Sequence, residues 1–221
     1  MRIIIDIILD LLYPQVCGIC GRTNKRSLCN RCNIKLKKEF SFTIDNYKND
    51  LGKNFSEHIY FFKYKNLIRE QIIALKFREK PYIYKSLSYF LKNNQKCFDY
   101  LEKYDIIVVV PISKERKKER GYNQSALMVK ELSAIIDAKR ITNILYKIKN
   151  TVPQSSLNKK EREENAKGIY IAKNCNKIKN KKILLVDDIY TTGSTVNECA
   201  KALIQKGINK KQIGVLTIAK D

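Results

Sequence analysis

The segment ILLVDDIYTTGSTV, Ile183 to Val196, sets two adjacent carboxylates, Asp187 and Asp188, just ahead of Thr191, Thr192, Gly193, Ser194 and Thr195. Hydroxyl side chains and successive amides at a helix start bind an anion, and a glycine lets the backbone approach it closely. Such a nest suits a single phosphate. The two carboxylates would repel a nucleotide's polyphosphate unless a metal stood between, yet they can accept hydrogen bonds from a pair of sugar hydroxyls. Together these residues point to a phosphorylated ribose. A turn cap at Asp187 and a helix N-cap in the Thr/Ser run would explain one or two of these residues, but not their order.

A second constellation lies near the other end. Cys17 and Cys20 are separated by two residues, as are Cys29 and Cys32, with residues 21–28 between the pairs. Two-residue spacing lets both sulfurs of a tight turn face one ion, and two such turns complete a tetrahedral set of four thiolates. Gly18 and Gly21 leave the backbone of the turn free to approach the sulfurs. Four protein ligands close the coordination sphere, so the metal is structural: zinc, with iron as the rival that four thiolates also hold. Cys97, Cys175 and Cys199 stand alone and read as buried core.

The third is a basic stretch after an apolar run ending at Val110. Lys114, Arg116, Lys117, Lys118 and Arg120 fall within seven residues, moderated by Glu115 and Glu119 and followed by Gly121, Tyr122, Asn123 and Gln124. Read as a loop, it could hold a nucleic-acid backbone, with Tyr122 for base stacking, or be a plain solvated charge run. Arg116, Arg120, Asn123 and Gln124 are its leading functional candidates.

These residues need a scaffold. Apolar runs at Ile106 to Val110, Ile183 to Val186 and Ile213 to Ile218 alternate with amphipathic segments at Gln124 to Ile136 and Ser194 to Lys206, and a strand is also readable at Ile141 to Tyr146. That pattern predicts an α/β fold with a parallel sheet covered by helices on both faces. His58 to Tyr64 reads as a further strand, and Leu67 to Phe77 and Tyr82 to Leu91 as helices. Ligands of such sheets bind beyond the carboxyl ends of the strands, where Asp187 and Asp188 emerge. The polar stretch Asp45 to Asn54 reads as a linker, dividing a module over residues 1–50 from a larger domain over residues 56–221.

With 221 residues, 30% charged and 44% hydrophobic, the chain is a globule and neither disordered nor a large multidomain machine. Its net charge of +22 favours polyanionic partners, although Lys, Asn, Ile and Tyr enrichment of this kind also follows from an AT-rich genome. Met1 to Leu12 is apolar but carries Asp6 and Asp10, four apart on one helical face. It is too short to span a membrane and too acidic for an export signal, so it reads as an amphipathic docking helix. The expectation is a cytoplasmic protein with reduced cysteines and no transmembrane segment.

The chain resembles the ComF family of competence-associated proteins, which carry a type I phosphoribosyltransferase-like domain behind an N-terminal zinc finger. The resemblance rests on LYPQVCGICG and LCNRC around the cysteines, Lys76 in IIALK, VPISKERKKERGYNQS, TVPQSSLNKKEREEN and VDDIYTTGST. It implies that the TTGST run binds the 5′-phosphate of phosphoribosyl pyrophosphate, with Mg²⁺, while Asp187 and Asp188 hold the ribose. It also implies that Lys76, Arg116 and Arg120 contribute to that site, with pyrophosphate facing the basic stretch. Lys147 or Lys149 stands where an arginine is usual. Thr151 to Asn165 would form a lid, with Gln154, Arg162 and Asn165 as contacts. The implied role is DNA uptake in natural transformation, with single-stranded DNA and competence-machinery proteins as partners. Arg116, Lys117, Lys118, Arg120 and Tyr122 would make the DNA surface.

Two other readings remain open: a metabolic phosphoribosyltransferase with a small nucleophile, and a scaffold that binds phosphate without transfer. In purine-salvage relatives an aspartate, serving as base, occupies the position of Thr191, which weakens the metabolic reading.

Overall fold

The computed structural model describes residues 15–77, 80, 82–133, 136, 138–141, 144–148 and 168–221. The helix expected at the start of the chain and the lid residues Gln154, Arg162 and Asn165 lie outside them. The elements run α1 (Asn30–Glu39), β1 (Phe40–Asn46), β2 (Glu57–Lys63), α2 (Asn66–Phe77), α3 (Ile83–Lys92), α4 (Gln95–Leu101) and β3 (Ile106–Val109). They continue with α5 (Lys114–Arg120), α6 (Gln124–Leu132), β4 (Lys139–Ile141), β5 (Leu145–Lys147), β6 (Tyr170–Ala172), β7 (Ile183–Tyr190), α7 (Ser194–Ile204) and β8 (Ile213–Lys220).

Ile183, Leu184, Leu185 and Val186 are fully buried, as an unbroken apolar run must be when both faces of its sheet are covered. Their strand, β7, sits inside a six-stranded sheet ordered β1-β2-β8-β7-β3-β4. All neighbours in it are parallel except β1, which pairs antiparallel with β2. One face packs Leu184, Val186 and Leu216 against Ile72, Leu75, Leu87, Leu101 and Val129. The other packs Leu185 and Val215 against Val196, Cys199 and Leu203 of α7. Each large aliphatic side chain so buried contributes about 1.5–3 kcal/mol.

The topology fixes where a ligand can sit. From β7 the chain passes through α7 to β8 on one side, whereas β3 leads to β4 on the other. The winding reverses between β3 and β7, and a crevice opens beyond the carboxyl ends of two strands whose connections diverge.

Four local readings of the sequence change. β7 continues through Asp187 and Asp188 to Tyr190, because Asp187, Ile189 and Tyr190 pair with Thr217, Ala219 and Lys220 of β8. The basic stretch is a helix, α5, and not a loop: the Ser113 hydroxyl accepts from the Arg116 amide at 3.3 Å, and Gly121 closes the C-terminus at φ 74°. Asp45 and Asn46, at the start of the expected linker, are strand residues paired with His58 and Glu57. The strand expected at Ile141 to Tyr146 divides between β4 in the main sheet and β5, which pairs with β6 apart from it.

The cysteine segment packs onto α3. The Gly18 amide donates to Ser86 Oγ at 2.9 Å, and a Cβ on Gly18 would lie 2.5 Å from that oxygen, so only glycine allows the approach. Cys17, Leu28, Cys32 and Leu36 join the same buried cluster as the helices.

Candidate functional site

Beyond the ends of β3 and β7 lies a cavity of about 490 Å³. Asp187 and Asp188 come from β7, Thr191 to Thr195 from the turn into α7, Lys76 from α2, and Arg116 and Arg120 from α5. Residues scattered over the chain therefore converge on one cleft. Lys117 and Lys118 do not line it and are exposed on α5. Tyr122 is half-buried and donates its hydroxyl to the Leu75 carbonyl at 2.7 Å, packing the turn after α5 against α2.

The turn is tightly specified. Gly193 has φ 76°, and a Cβ there would fall 2.3 Å from the Tyr190 ring, so both backbone conformation and space demand glycine. Thr192 Oγ1 lies 2.9 Å from Ser194 Oγ, and the Ser194 amide donates to Thr192 Oγ1 at 3.3 Å. The hydroxyls thus cluster at the N-terminus of an eleven-residue helix, the positive end of its dipole.

The acidic pair is electrostatically uneven. Asp188 forms an ion pair with Lys76, Oδ2 to Nζ 2.8 Å. Asp187 Oδ1 accepts from Ser125 Oγ at 3.1 Å and from the Asp188 amide at 2.9 Å. Burial, and then the neighbouring Asp188 charge, nevertheless push the Asp187 carboxyl up to about 7, against the pull of Lys76 and the two hydrogen bonds. Across the cleft the excess is cationic. Burial lowers the Arg120 pKa, and so does nearby Arg116; Lys147, which also lines the cavity, is lowered by the same two causes in the same order. An anion would relieve this crowding.

Asn123 caps α6, accepting from the Ser125 amide at 3.0 Å, and its Nδ2 donates to the Val110 carbonyl at 3.0 Å, tying the helix to the end of β3. Gln124 is buried in the cleft wall, with Oε1 3.4 Å from Arg120 Nη1 and with no partner for Nε2 among the described residues. A buried donor without an acceptor is costly, and a ligand oxygen would satisfy it. Sequence reasoning did not single out Ser125, Tyr170 or Tyr190. Only tertiary contact reveals them. His58 is fully buried, stacked 4.1 Å from the Tyr190 ring with Nε2 2.9 Å from Thr217 Oγ1, and burial holds it neutral with a pKa near 3.

Away from the cleft, the sulfurs of Cys17, Cys20, Cys29 and Cys32 lie within 4.8 Å of one another, with Cys20 and Cys29 at 3.9 Å. Zinc–sulfur bonds of about 2.3 Å in a tetrahedron require sulfur separations of about 3.8 Å, so the donor set fits zinc. Burial raises the Cys17 thiol, but backbone amides outweigh it and lower its pKa, whereas burial and then the neighbouring sulfurs push the Cys32 thiol up.

A glycine turn and two carboxylates at the switch point of a mainly parallel sheet define a type I phosphoribosyltransferase-like α/β protein. Residues 107–221, more than half of the chain, match the family of the phosphoribosyl transferase domain. The chain belongs to that family, and its similarity to two competence proteins supports a ComF-type member.

It is 33% identical to Competence protein F of Haemophilus influenzae over 146 residues, covering 64% of this chain and 64% of that protein. It is 28% identical to Competence protein ComFC of Bacillus subtilis over 202 residues, covering 90% of this chain and 75% of that protein. To the DNA utilization protein YhgH of Escherichia coli it is 31% identical over 112 residues, 51% of this chain and 48% of the relative. Among the described residues, no helix is long and apolar enough to cross a membrane.

Proposed function

We propose that the cleft binds phosphoribosyl pyrophosphate together with Mg²⁺, and that the protein handles single-stranded DNA during DNA uptake. The observation that carries the first part is the placement of the Gly193 turn beside Asp187 and Asp188 at the end of one strand. The 5′-phosphate takes the amides and hydroxyls of Thr191 to Thr195, and the ribose hydroxyls donate to the acidic pair. Carboxylate oxygens are also the donors that Mg²⁺ takes alongside substrate phosphates, so the pair fits the metal as well. The pyrophosphate then faces Arg116, Arg120 and Gln124.

The same cations favour a second reading, transfer. A nucleophile's electron pair would form a bond to ribose C1 while the bond from C1 to the pyrophosphate oxygen breaks, its electrons leaving with pyrophosphate. Arg116, Arg120 and Lys147 would stabilise that growing charge.

The DNA part draws on the names of the relatives and on the charge of +22. Exposed Lys117 and Lys118 continue the positive face of α5 away from the cleft, where a phosphate backbone can lie. Competence-machinery proteins are the expected partners. A thermal-shift titration tests the cleft: phosphoribosyl pyrophosphate with Mg²⁺ raises the melting temperature as the concentration passes Kd, and Thr192→Val reduces the rise. No rise for the wild type contradicts the assignment.

A further inference from the structure

The wall of the cleft formed by α2 is aromatic and cationic, and nothing in the ribose-phosphate site accounts for it. Phe77, the last residue of α2, is 64% exposed at the cavity rim, with the Arg120 guanidinium 5.1 Å from its ring centroid. An aromatic ring left in water at the mouth of a polar cleft has surface free for a partner. Arg69, on the same helix, also lines the cavity and is exposed; eight residues of helix from Arg69 to Phe77 span about 12 Å.

At the Arg69 end the cleft runs into a second cavity of about 360 Å³ lined by Tyr60, Lys63, Tyr64, Lys65, Lys220 and Asp221. Tyr64 and Asp221 border both cavities, so the groove is continuous. Lys220 is already neutralised by Asp45 at 2.6 Å. Lys63, Lys65 and Arg69, by contrast, have no carboxylate within ion-pair distance among the described residues. The groove therefore presents three unpaired cations and two aromatic residues, Tyr64 and Phe77, with Asp221 as the acid shared by both linings.

We infer that this groove is a track for single-stranded DNA, with bases stacking on Tyr64 and Phe77 and backbone phosphates meeting Lys63, Lys65 and Arg69. A polynucleotide fits better than a free phosphate because the cations and rings are spread along the groove and do not converge on one point. Arg120, with its guanidinium over Phe77, joins this track to the α5 face, so a strand leaving Phe77 can continue along α5. The inference rests on the proposal that the protein handles single-stranded DNA, and it specifies where the bases go.

Fluorescence anisotropy with a labelled thymidine oligonucleotide, over a range of salt concentrations, tests it on the full chain. Lys63→Gln with Lys65→Gln should weaken binding and make the salt slope shallower by about 1.4, two phosphates at about 0.7 each. Tyr64→Leu and Phe77→Leu should each weaken binding roughly five- to a hundredfold. They should not change the salt slope. Because Phe77 is exposed, its variant reads the stacking even if Tyr64→Leu disturbs packing; unchanged melting temperature and unchanged response to phosphoribosyl pyrophosphate show that the fold is intact. If the wild type binds the oligonucleotide and all these variants bind equally well, the track is wrong while DNA handling stands. If the wild type binds no oligonucleotide at low salt, DNA handling itself fails and the track with it.

Discussion

The cysteine module and the cleft both gather groups that repel one another when ionised, but they resolve the repulsion in different ways. In the module, Cys17, Cys20, Cys29 and Cys32 come from one short segment, and two-residue spacing with a hydrogen-bonded turn between the pairs brings their sulfurs within 4.8 Å. A divalent ion bound there would be shared by all four sulfurs, and four protein ligands would leave no open position for chemistry. In the cleft, Asp187 and Asp188 are compensated from a distance by Lys76 of α2 and Ser125 of α6, and only partly, since Asp187 stays raised. Arg116, Arg120 and Lys147 remain crowded on the facing wall. The module draws its donors from one short segment; the cleft draws acids and cations from distant elements and sets them on facing walls.

Breaking the module should have the largest effect. Structural zinc in a four-thiolate site contributes on the order of 10 kcal/mol to the fold it closes. Cys17→Ser, or strong chelation, should release one zinc per chain by elemental analysis and markedly lower the melting temperature, since Cys17 and Leu28 belong to the core shared with α3. Zinc-free protein of unchanged stability would erase the contrast between the regions.

Gly193→Ala is the corresponding break in the cleft. A left-handed backbone costs a non-glycine residue about 1 kcal/mol or more, and the Cβ would also collide with the Tyr190 ring. We expect affinity for the phosphorylated ligand to fall about tenfold or more, with zinc content unchanged. Equal affinity by calorimetry would mean that the turn does not hold the phosphate.

Removing Arg116 and Arg120 probes the facing wall. Their double replacement by Ala should lower affinity for single-stranded DNA and reduce the salt slope by about 0.7 for each phosphate that is no longer neutralised, while leaving zinc bound. An unchanged slope would move the backbone path off α5.

The smallest effect is a pH dependence. The folded Asp187 carboxyl titrates at about 7, above the value of about 4 for a free aspartate. Its contribution to stability is therefore present below about 4 and is lost as pH rises through about 7. Asp187→Asn, which keeps the shape but not the charge, should remove that loss and leave ligand-free protein roughly 1 kcal/mol more stable at pH 8 than the wild type, with no advantage near pH 4. Identical pH profiles of melting temperature would place Asp187 in a more solvated setting.

The same contrast explains what could be read from the sequence. The cysteine pairs, the acidic pair and the TTGST run are contiguous, and their chemistry is set by spacing within a few residues. The sheet was legible because buried strands such as Ile183 to Val186 are unbroken apolar runs. Ser125, Tyr170 and Tyr190 reach the cleft only because α6, β6 and the end of β7 meet there, and no local pattern in the sequence encodes that meeting. The helix at Lys114–Arg120 was hidden for a related reason. Its composition reads equally as a solvated loop, and the Ser113 cap and the Gly121 stop decide in favour of helix.

The central claim, that the cleft is built for a phosphorylated ribose compensated on two sides, is tested most directly by calorimetric titration of the full chain with phosphoribosyl pyrophosphate in the presence of Mg²⁺. The account expects a saturating heat with one ligand per chain for the wild type, and its loss or strong reduction when Asp187 and Asp188 are both changed to Asn. A wild-type protein with no binding heat, or a double variant that binds as tightly as the wild type, would contradict it.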